Sequence, residues 1–354
     1  MAENRTVAVG LSGGVDSSVA ALLLREQGYN VIGITMKLWN GRYKGGDRDA
    51  CFGSGEAEDI ETARELARSL GIEYRVFDCS EAYDREIVSY FRNTYLSGRT
   101  PNPCVRCNAA MKFGLLPKLA LEAGLGFDFF ATGHYARILK KGDRLAIAVA
   151  TDESKDQSYF LYRLSQEQLK RHIFPLGGLT KGEVRKIARE HGLISAERPD
   201  SQDFYSGDVN ELIGEGEKPG DIVDTAGKVL GKHKGYWNFT IGQRKGLGIG
   251  GAGEPYYVID LDHCRNRVIV SHAENAERGT FSVEDMNWMG FVETAEPFPC
   301  EVKVRSAAKR VKAHFMSGEI VLDKPMMGIA PGQSAVCYEE NTGIILCGGV
   351  ISRK

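Results

Sequence analysis

A glycine-rich segment near the N-terminus has the residue types that bind anions. Gly10-Leu-Ser-Gly-Gly-Val-Asp-Ser-Ser18 lies between a short apolar run and a helix-like segment. Glycines let the backbone turn its N–H groups inward, and the positive end of a helix dipole adds to them, so the segment predicts a phosphate cradle. It lacks the Gly-Lys-Ser/Thr ending of a Walker A loop, which excludes the γ-phosphate lysine of kinases and GTPases. A Gly-x-Gly-x-x-Gly pattern at residues 248–253 lacks the flanking strand and helix of a dinucleotide site and is a chance match.

Two closely spaced cysteines form a second candidate for chemistry. They lie in Gly98-Arg-Thr-Pro-Asn-Pro-Cys-Val-Arg-Cys-Asn108, where prolines stiffen the approach to Cys104 and Cys107. A thiolate is a nucleophile and a metal ligand, and the neighbouring arginines could lower its pKa. By themselves, the two thiols are compatible with a redox pair, half of a metal site or two buried side chains.

The length and composition of the chain limit the class of protein to which these segments can belong. A chain of 354 residues predicts two or three domains. A hydrophobic content of 42% with 26% charged residues is typical of a soluble globular protein and argues against disorder. No apolar run approaches the ~18–20 residues of a membrane span, so no membrane partner is expected. Eight cysteines without a secretory pattern predict a reducing compartment, the cytoplasm. The net charge of −2 decides nothing about nucleic acid.

Alternating strand and helix patterns must position the loop and the thiols. Apolar runs at residues 7–11, 31–36, 74–77 and 127–131 predict buried strands. Residues 58–70 have apolar positions at helical spacing, and Gly71 ends that helix. This order predicts an α/β fold with a doubly wound parallel sheet, whose ligands bind at the carboxyl ends of its strands.

The second half of the chain has a different character. Residues 225–253 contain nine glycines and five Lys/Arg but no acidic residue. Short alternating runs at 256–260, 267–270, 301–305 and 334–338 predict small β domains or barrels. We therefore predict three domains: an α/β domain at 1–200, a small central domain at 201–275 and a C-terminal β-barrel at 276–354. A basic run suits phosphate contacts, although it is equally compatible with a solvated surface: Lys303, Arg305, Lys309, Arg310 and Lys312.

The loop and several later segments together resemble a known family. Ser-Gly-Gly-x-Asp-Ser resembles the PP-loop of ATP pyrophosphatases. The same order of motifs continues with the Cys104 segment, Ala131-Thr-Gly-His-Tyr-Ala136, Lys155-Asp-Gln-Ser-Tyr-Phe160, Asp200-Ser-Gln-Asp203, Asn238-Phe-Thr-Ile-Gly-Gln-Arg-Lys-Gly-Leu247 and Pro331-Gly-Gln333. From residue 6 to about 350, the chain resembles the tRNA-specific 2-thiouridylase family. The resemblance implies that ATP activates the C2 oxygen of the wobble uridine as an AMP ester, and that sulfur then displaces AMP.

The resemblance also implies a role for individual residues. It implies ATP contacts at Gly10, Leu11, Ser12, Gly13, Gly14, Val15, Asp16, Ser17, Met36 and Gly133, with Asp16 helping to place Mg²⁺. It implies catalysis by Cys107, with Cys104 as a second candidate. It implies tRNA contacts at Asn102, Pro103, Cys104, His134, Lys155, Asp156, Gln157, Arg305, Ser306 and Gln333. Two alternatives stay open, namely that His134 braces the sheet edge and that Gln333 completes a turn.

The chain departs from the family pattern at two positions. Many members have aspartate where Cys104 stands and a second catalytic cysteine where Tyr205 stands. Tyrosine cannot carry sulfane sulfur, so either Cys104 substitutes for the second thiol or sulfur arrives by another route. Related enzymes hold a [4Fe-4S] cluster on three cysteines, and Cys51, Cys104 and Cys107 are candidate ligands, with Cys79 as a competing third. The sulfur donor is a carrier protein, a cysteine desulfurase or free sulfide.

Two other classes of function compete with tRNA thiolation. One is an amidating or adenylating PP-loop enzyme of the NAD or asparagine synthetase type, which acts on a carboxylate with ammonia. It does not explain the Pro-Asn-Pro-Cys segment or the basic β-rich region. The other is a non-catalytic RNA-binding protein with a regulatory nucleotide site, which does not explain two thiols beside an intact loop. Pyrophosphate release that depends on tRNA, and not on ammonia, distinguishes them.

Overall fold

The N-terminal part of the protein is built on a parallel β-sheet. We describe a computed structural model, which covers residues 5–45, 50–198, 204–250 and 253–353. The first seven strands are β1 (Thr6–Gly10), β2 (Asn30–Lys37), β3 (Glu73–Asp78), β4 (Phe129–Ala131), β5 (Arg137–Lys141), β6 (Arg144–Ala148) and β7 (His172–Ile173). Five of them form the sheet in the order β3-β2-β1-β4-β7, and β5 and β6 form a hairpin. The predicted parallel sheet is confirmed, and its first four strands overlap the four apolar runs.

Helices cover both faces of this sheet. The helices are α1 (Val15–Glu26), α2 (Glu56–Leu70), α3 (Ser80–Tyr83), α4 (Ser89–Leu96), α5 (Pro103–Arg106), α6 (Leu116–Glu122), α7 (Gln166–Lys170), α8 (Lys181–Glu190) and α9 (Val209–Ile213). Side chains of a strand alternate between faces. Val7 and Val9 therefore pack into the core under α1, α2 and α8, whereas Ala8 packs into the core under α6. The doubly wound arrangement is confirmed, and α2 ends as predicted at Gly71, which has a φ of +62°.

Two helical rods each contain a π-helical segment. Asp84–Val88 joins α3 to α4, and Cys107–Leu115 joins α5 to α6. The second rod begins at Asn102, whose side chain accepts a hydrogen bond from the Val105 N–H at 3.4 Å. π-Helical segments are rare and occur frequently at functional sites. The remaining short helical turns are Ser158–Leu161, Tyr236–Asn238 and Ala273–Asn275.

The second half of the chain forms a small sheet and a barrel. The sheet has the order β10-β11-β8-β9, with β8 (Gly220–Val223), β9 (Val229–His233), β10 (Tyr257–Asp262) and β11 (Arg267–Ser271). The closed barrel has the order β12-β15-β14-β13-β16-β17, with β12 (Glu277–Trp288), β13 (Phe298–Lys303), β14 (Val311–Met316), β15 (Glu319–Met327), β16 (Ser334–Tyr338) and β17 (Ile345–Ile351). The predicted C-terminal barrel is confirmed, although β13 begins and ends before the predicted run at 301–305.

The barrel packs directly against the α/β domain. Met289, Val336 and Tyr338 of the barrel region are buried in the same core as the α/β residues under α6. A hydrogen bond also joins the α/β domain to the barrel region: the Thr100 N–H donates to the Pro331 carbonyl at 2.8 Å. Among the described residues, no helix combines the length and apolar character that crossing a membrane requires.

Candidate active site

The glycine loop between β1 and α1 is shaped by its own backbone. Gly14 precedes α1 and provides no side-chain cap, so the first N–H groups of the helix face the loop without a side-chain partner. The Ser12 N–H donates to Ser17 Oγ at 3.2 Å, and Ser17 Oγ donates to the Gly14 carbonyl at 3.1 Å. Gly13 has a φ of +75°, and a Cβ there would lie 2.6 Å from the Asp59 carbonyl oxygen. The loop is therefore a compact set of N–H and hydroxyl donors of the kind that binds phosphate.

The other residues that the sequence assigned to ATP lie at the same edge of the sheet. Gly133 follows β4, and a Cβ at Gly133 would lie 2.6 Å from the backbone of both Asp16 and Ser17. Met36 is the penultimate residue of β2 and is partly buried. The carboxyl ends of β1, β2 and β4 meet here, because these strands run parallel. Residues 10–17, Met36 and Gly133 are thus brought to one edge.

Two cations at the loop were missed by the sequence analysis. Lys181, the first residue of α8, forms an ion pair with Asp16 at 2.8 Å. Arg198 donates to the Gly13 carbonyl at 3.2 Å and to Asp59 at 2.8 Å. A lysine at a helix N-terminus opposes the helix dipole. A lysine in this unfavourable position, next to the capping box of Thr180 and Glu183, is the sequence feature that could have identified Lys181 as functional.

The loop offers one carboxylate for a magnesium ion. Asp16 accepts hydrogen bonds from Tyr135 Oη at 2.8 Å and from Lys181. In the described ranges, no three His, Cys, Asp or Glu side chains are grouped to hold a metal. Mg²⁺ in nucleotide sites is bound mainly by phosphate oxygens and water, with one or two carboxylates. Asp16 fits the role of a single protein ligand to a phosphate-bound ion, provided that Lys181 moves to the phosphates.

Cys104 and Cys107 lie on the second helical rod, residues 103–122, which we call the thiol rod; its environment is partly apolar. Cys107 is buried and Cys104 is half-buried, whereas Cys51 is exposed. Burial raises the pKa of Cys107 to about 11, and the positive charge of Lys112 opposes that shift. Burial likewise raises the pKa of the nearby Cys79 to about 11. Cys107 is therefore a protonated thiol at neutral pH and needs a further change to become nucleophilic.

The cysteines do not fit an iron–sulfur cluster in this arrangement. Cys51, Cys104 and Cys107 each raise the pKa of Lys112, so the three cysteines lie in the region around this lysine. No three of the metal-binding side chains in the described part of the chain are arranged as a ligand set.

An aromatic cluster surrounds the position where a second catalytic cysteine was expected. Tyr205 is buried, and its hydroxyl donates to Glu211 at 2.6 Å. The Phe52 N–H donates to the Phe204 carbonyl at 3.2 Å, and the two rings stack at 6.2 Å. The contacting rings are Trp39, Tyr43, Phe52, Tyr83, Phe91, Phe204 and Tyr205. Tyr205 is a packing residue, and the Asp200-Ser-Gln-Asp203 motif before it lies outside the described residues.

Several residues that the sequence assigned to tRNA are engaged within the protein. Asn102 is buried and donates to Tyr159 Oη at 3.3 Å and to Ser334 Oγ at 3.4 Å. Gln333 donates to the Pro101 carbonyl at 2.7 Å. Gln157 Oε1 accepts from the Tyr135 N–H at 2.9 Å. The bonds of Asn102 and Gln333 join the start of the thiol rod to Tyr159 and to the barrel region.

The remaining residues of that set divide into buried and exposed groups. Pro103 is buried at the start of α5, and Asp156 accepts from the Ala150 N–H at 3.0 Å. His134 contacts Thr132 Oγ1 through Nδ1 at 2.7 Å; burial and the charge of Lys112 lower its pKa, so the ring is neutral. Lys155 is partly buried, whereas Arg305 and Ser306 are exposed after β13.

A polar cleft opens beside the thiol rod. Its volume is about 700 Å³, and it lies between α4, α5 and the barrel strands β12 and β17. Arg106 lies over the Tyr90 ring at 5.0 Å, and Tyr90 Oη accepts from the Asn102 N–H at 3.1 Å. Arg99 forms an ion pair with Glu284 across the cleft. Arg106 also pairs with Glu86 at 3.3 Å, so arginine–carboxylate pairs line the cleft at the entrance to the Cys104 segment.

The fold and the site define a class of protein. A glycine loop at the carboxyl edge of a parallel sheet, followed by a small β domain and a barrel, is the architecture of a PP-loop nucleotide-binding enzyme with attached β domains. Sequence profiles match three parts of the chain: "tRNA methyl transferase HUP domain" at residues 5–205, "tRNA methyl transferase PRC-barrel domain" at 210–272 and "Aminomethyltransferase beta-barrel domain" at 278–351.

Curated relatives extend over nearly the whole chain. The tRNA-specific 2-thiouridylase MnmA of Endomicrobium trichonymphae is 45% identical, covering 98% of each chain. The enzyme of the same name from Carboxydothermus hydrogenoformans is 40% identical, covering 99% of this chain and 98% of the relative. The chain belongs to the tRNA-specific 2-thiouridylase family. A solved 4-thiouridine synthetase–RNA complex is 18% identical over 59% of this chain and 45% of that one, with a TM-score of 0.39, too low for a conclusion.

Proposed function

We propose that the protein is an ATP-dependent tRNA-uridine 2-sulfurtransferase. One observation carries the proposal: the loop and the thiol rod meet at the carboxyl edge of one sheet. Phe113 of the rod contacts the His134 ring at 5.5 Å, and the preceding Gly133 packs on the Asp16–Ser17 backbone. A phosphate cradle next to a thiol is the minimum equipment for activating an oxygen with AMP and replacing it with sulfur.

The proposed reaction has two steps. In the first, the uridine C2 oxygen attacks the α-phosphorus of ATP, and the bond to pyrophosphate breaks. Residues 10–17 hold the leaving pyrophosphate, with Met36 and Gly133 lining the nucleotide site, and Lys181 and Arg198 supply positive charge. Mg²⁺, when bound, neutralises phosphate charge, and Asp16 is its protein ligand.

In the second step, sulfur replaces the AMP group. The terminal sulfur of a persulfide on Cys107 attacks C2, the C2–O bond breaks, and AMP leaves with the electron pair. Cys104 then attacks the Cys107 sulfur, so that 2-thiouridine is released and a disulfide forms, which an external thiol reduces. Residues three apart in a helix face the same side, which favours this pairing. The persulfide forms when the Cys107 thiolate attacks the terminal sulfur of an external persulfide donor, whose S–S bond breaks and whose own thiolate leaves.

The tRNA partner is assigned to the cleft and to the second half of the chain. Arg99 and Arg106 line the cleft, where they pair with Glu284 and Glu86, and tRNA phosphates would take the place of those carboxylates. Asn102, Pro103 and Cys104 lie against the target base. The other tRNA contacts are His134, Lys155, Asp156, Gln157, Arg305, Ser306 and Gln333. The proposed domain limits are 1–200 for the ATP-binding catalytic domain, 201–275 for the central tRNA-contacting domain and 276–354 for the C-terminal β-barrel. The expected cytoplasmic location is consistent with a tRNA substrate.

Substitution of Asp16 tests the first step. Asp16→Ala removes the metal ligand, so tRNA-dependent pyrophosphate release should fall by at least about 100-fold. Asp16→Asn keeps the Tyr135 hydrogen bond and the side-chain size, and should be equally inactive although folded. Asp143→Ala, at an exposed position, is the matched control and should retain full activity. Near-normal turnover of Asp16→Asn, or release that requires ammonia in place of tRNA, would contradict the proposal.

Metal analysis tests the cluster prediction separately. Cys51, Cys104 and Cys107 were predicted as possible [4Fe-4S] ligands, and the geometry favours the two-thiol route. Anaerobic purification followed by iron and acid-labile sulfide determination should yield no stoichiometric iron. Four irons per chain, lost in Cys51→Ser, would establish the cluster and replace the persulfide route.

A further inference from the structure

The π-helical register of the thiol rod places one lysine beside the catalytic cysteine. Lys112 follows Cys107 by five residues within Cys107–Leu115. In a π-helix the N–H of residue i+5 bonds to the carbonyl of residue i, so the two side chains lie on the same side of the rod. An α-helix would turn Lys112 about 140° away from Cys107. The unusual segment therefore determines which way this ammonium points.

Among the described residues, no carboxylate balances the charge of Lys112. Burial lowers its pKa most strongly, but Cys51, Cys107 and Cys104 together raise it, and the pKa remains above its ordinary value. Lys112 therefore carries a positive charge at neutral pH. Within the described ranges no Asp or Glu forms an ion pair with it, and the surrounding thiols are neutral when protonated. A partly buried cation in this position favours an anionic ligand.

The same ammonium also lies close to the nucleotide edge of the sheet. Its charge lowers the pKa of His134, and the next residue, Phe113, contacts the His134 ring at 5.5 Å. Gly133, which precedes His134, packs on the backbone of Asp16 and Ser17. Lys112 is thus between the glycine loop and the thiols. In the proposed reaction, the group that lies between pyrophosphate and sulfur is the α-phosphoryl group.

We propose that Lys112 binds the α-phosphoryl oxygens of ATP and of the AMP ester formed on uridine. It neutralises the negative charge that grows on AMP as sulfur attacks C2 and the C2–O bond breaks, with the electron pair going to the AMP oxygen. This inference rests on the proposed function. It differs from the roles of Lys181 and Arg198, which contact the loop that holds pyrophosphate.

Nucleotide affinities of the full chain test the contact directly. Lys112→Met keeps the length of the side chain without its charge, so the Kd for AMP should rise by about 10-fold or more. The Kd for adenosine, which has no phosphate, should stay within about two-fold. Lys112→Arg should restore most of the AMP affinity. Lys118→Met is the matched control, because Lys118 is exposed on α6 and pairs only at 3.8 Å with Glu122.

Turnover gives a second readout. Pyrophosphate release with tRNA should fall by about 100-fold in Lys112→Met and recover partly in Lys112→Arg. An unchanged AMP affinity, or an equal loss for AMP and adenosine, would overturn the α-phosphoryl contact. Failure of the wild-type chain to release pyrophosphate with tRNA would instead overturn the proposed function, whatever the nucleotide affinities.

Discussion

The glycine loop and the thiol rod lie at the same edge of the sheet but are constructed differently. The loop comes from nine consecutive residues, and its donors are mostly backbone N–H groups and serine hydroxyls. The thiol environment comes from segments far apart in the chain, because the Cys107 core includes Leu38, Phe52 and Tyr205. An anion site can thus be made locally, whereas a controlled nucleophile needs tertiary burial.

The two regions also differ in their readiness to react. Asp16 and Lys181 are already paired beside the loop, so cationic and metal-binding groups are present before ATP arrives. Cys107 is held as a thiol, with its pKa raised to about 11 by burial. The nucleotide site therefore has its charged groups in place before ATP binds, whereas the Cys107 thiol is buried and protonated. Substitutions in both regions, in the barrel and in the aromatic cluster test that contrast.

The largest effect is expected at the protected thiol. Cys107→Ser should abolish 2-thiouridine formation, because the hydroxyl cannot carry sulfane sulfur. Pyrophosphate release should remain within a few-fold, since adenylation requires only the loop and the base. Nucleoside analysis by mass spectrometry measures the product, and a pyrophosphate assay measures the first step. Cys79→Ser, at another buried thiol, is the control and should still thiolate.

Cys104→Ser decides how many thiols take part. On the two-thiol route its loss should be as severe as that of Cys107. Full thiolation by Cys104→Ser would leave Cys107 acting alone and defeat the proposed disulfide step.

The next largest effect is expected where Gly133 packs tightly against the glycine loop. Gly133→Ala would place a methyl group 2.6 Å from the Asp16 and Ser17 backbone. We expect a stability loss of about 1–3 kcal/mol from overpacking and an ATP affinity at least about 10-fold weaker. Chemical denaturation and nucleotide titration measure the two effects. Gly126→Ala has open space around its Cβ and should change neither; an unaffected Gly133→Ala would mean that the loop does not depend on β4.

A smaller effect is expected in the barrel, where two lysines of the basic run differ. Lys309 is exposed, whereas Lys303 is partly buried and lies over the Tyr159 ring at 5.8 Å. Lys309→Ala should lower the slope of log affinity for tRNA against log salt by about one unit. Lys303→Ala should mainly cost about 0.5–1 kcal/mol of stability through the lost ring contact. Equal salt slopes for wild type and Lys309→Ala would exclude a phosphate contact there.

The smallest effect is expected at the aromatic cluster. Tyr205→Phe removes the hydrogen bond to Glu211 and the one with the Gly45 backbone, so the free energy of unfolding should fall by about 1–2 kcal/mol. Thiolation should be unchanged, because the ring that packs beside the thiols remains. Urea denaturation and nucleoside analysis measure the two quantities. Loss of thiolation in this variant would give the hydroxyl a part in sulfur transfer and remove the contrast with Cys107.

The packing of the barrel could not be predicted from local patterns. Alternation in the chain predicted its strands, yet Gln333 and Gln157, which the sequence assigned to tRNA, donate to or accept from the protein's own backbone. Of the basic run, Arg310 pairs with Glu301 at 3.4 Å and Lys312 with Glu340 at 3.9 Å, while Arg305 and Lys309 are exposed. A residue type indicates what a side chain can bind, but its neighbours determine what it does bind.

The sequence by itself determined the parallel sheet, the glycine loop after its first strand, the end of α2 at Gly71 and the absence of a thiol at Tyr205. These features depend on periodicity, on glycine and on residue identity over a few neighbouring positions. Only the tertiary structure decided that Lys181 pairs with Asp16, 165 residues away, that Cys107 is buried, and that a π-helical register turns Lys112 towards it. The physical reason is that burial and charge pairing are properties of contacts between distant segments, which local patterns do not encode.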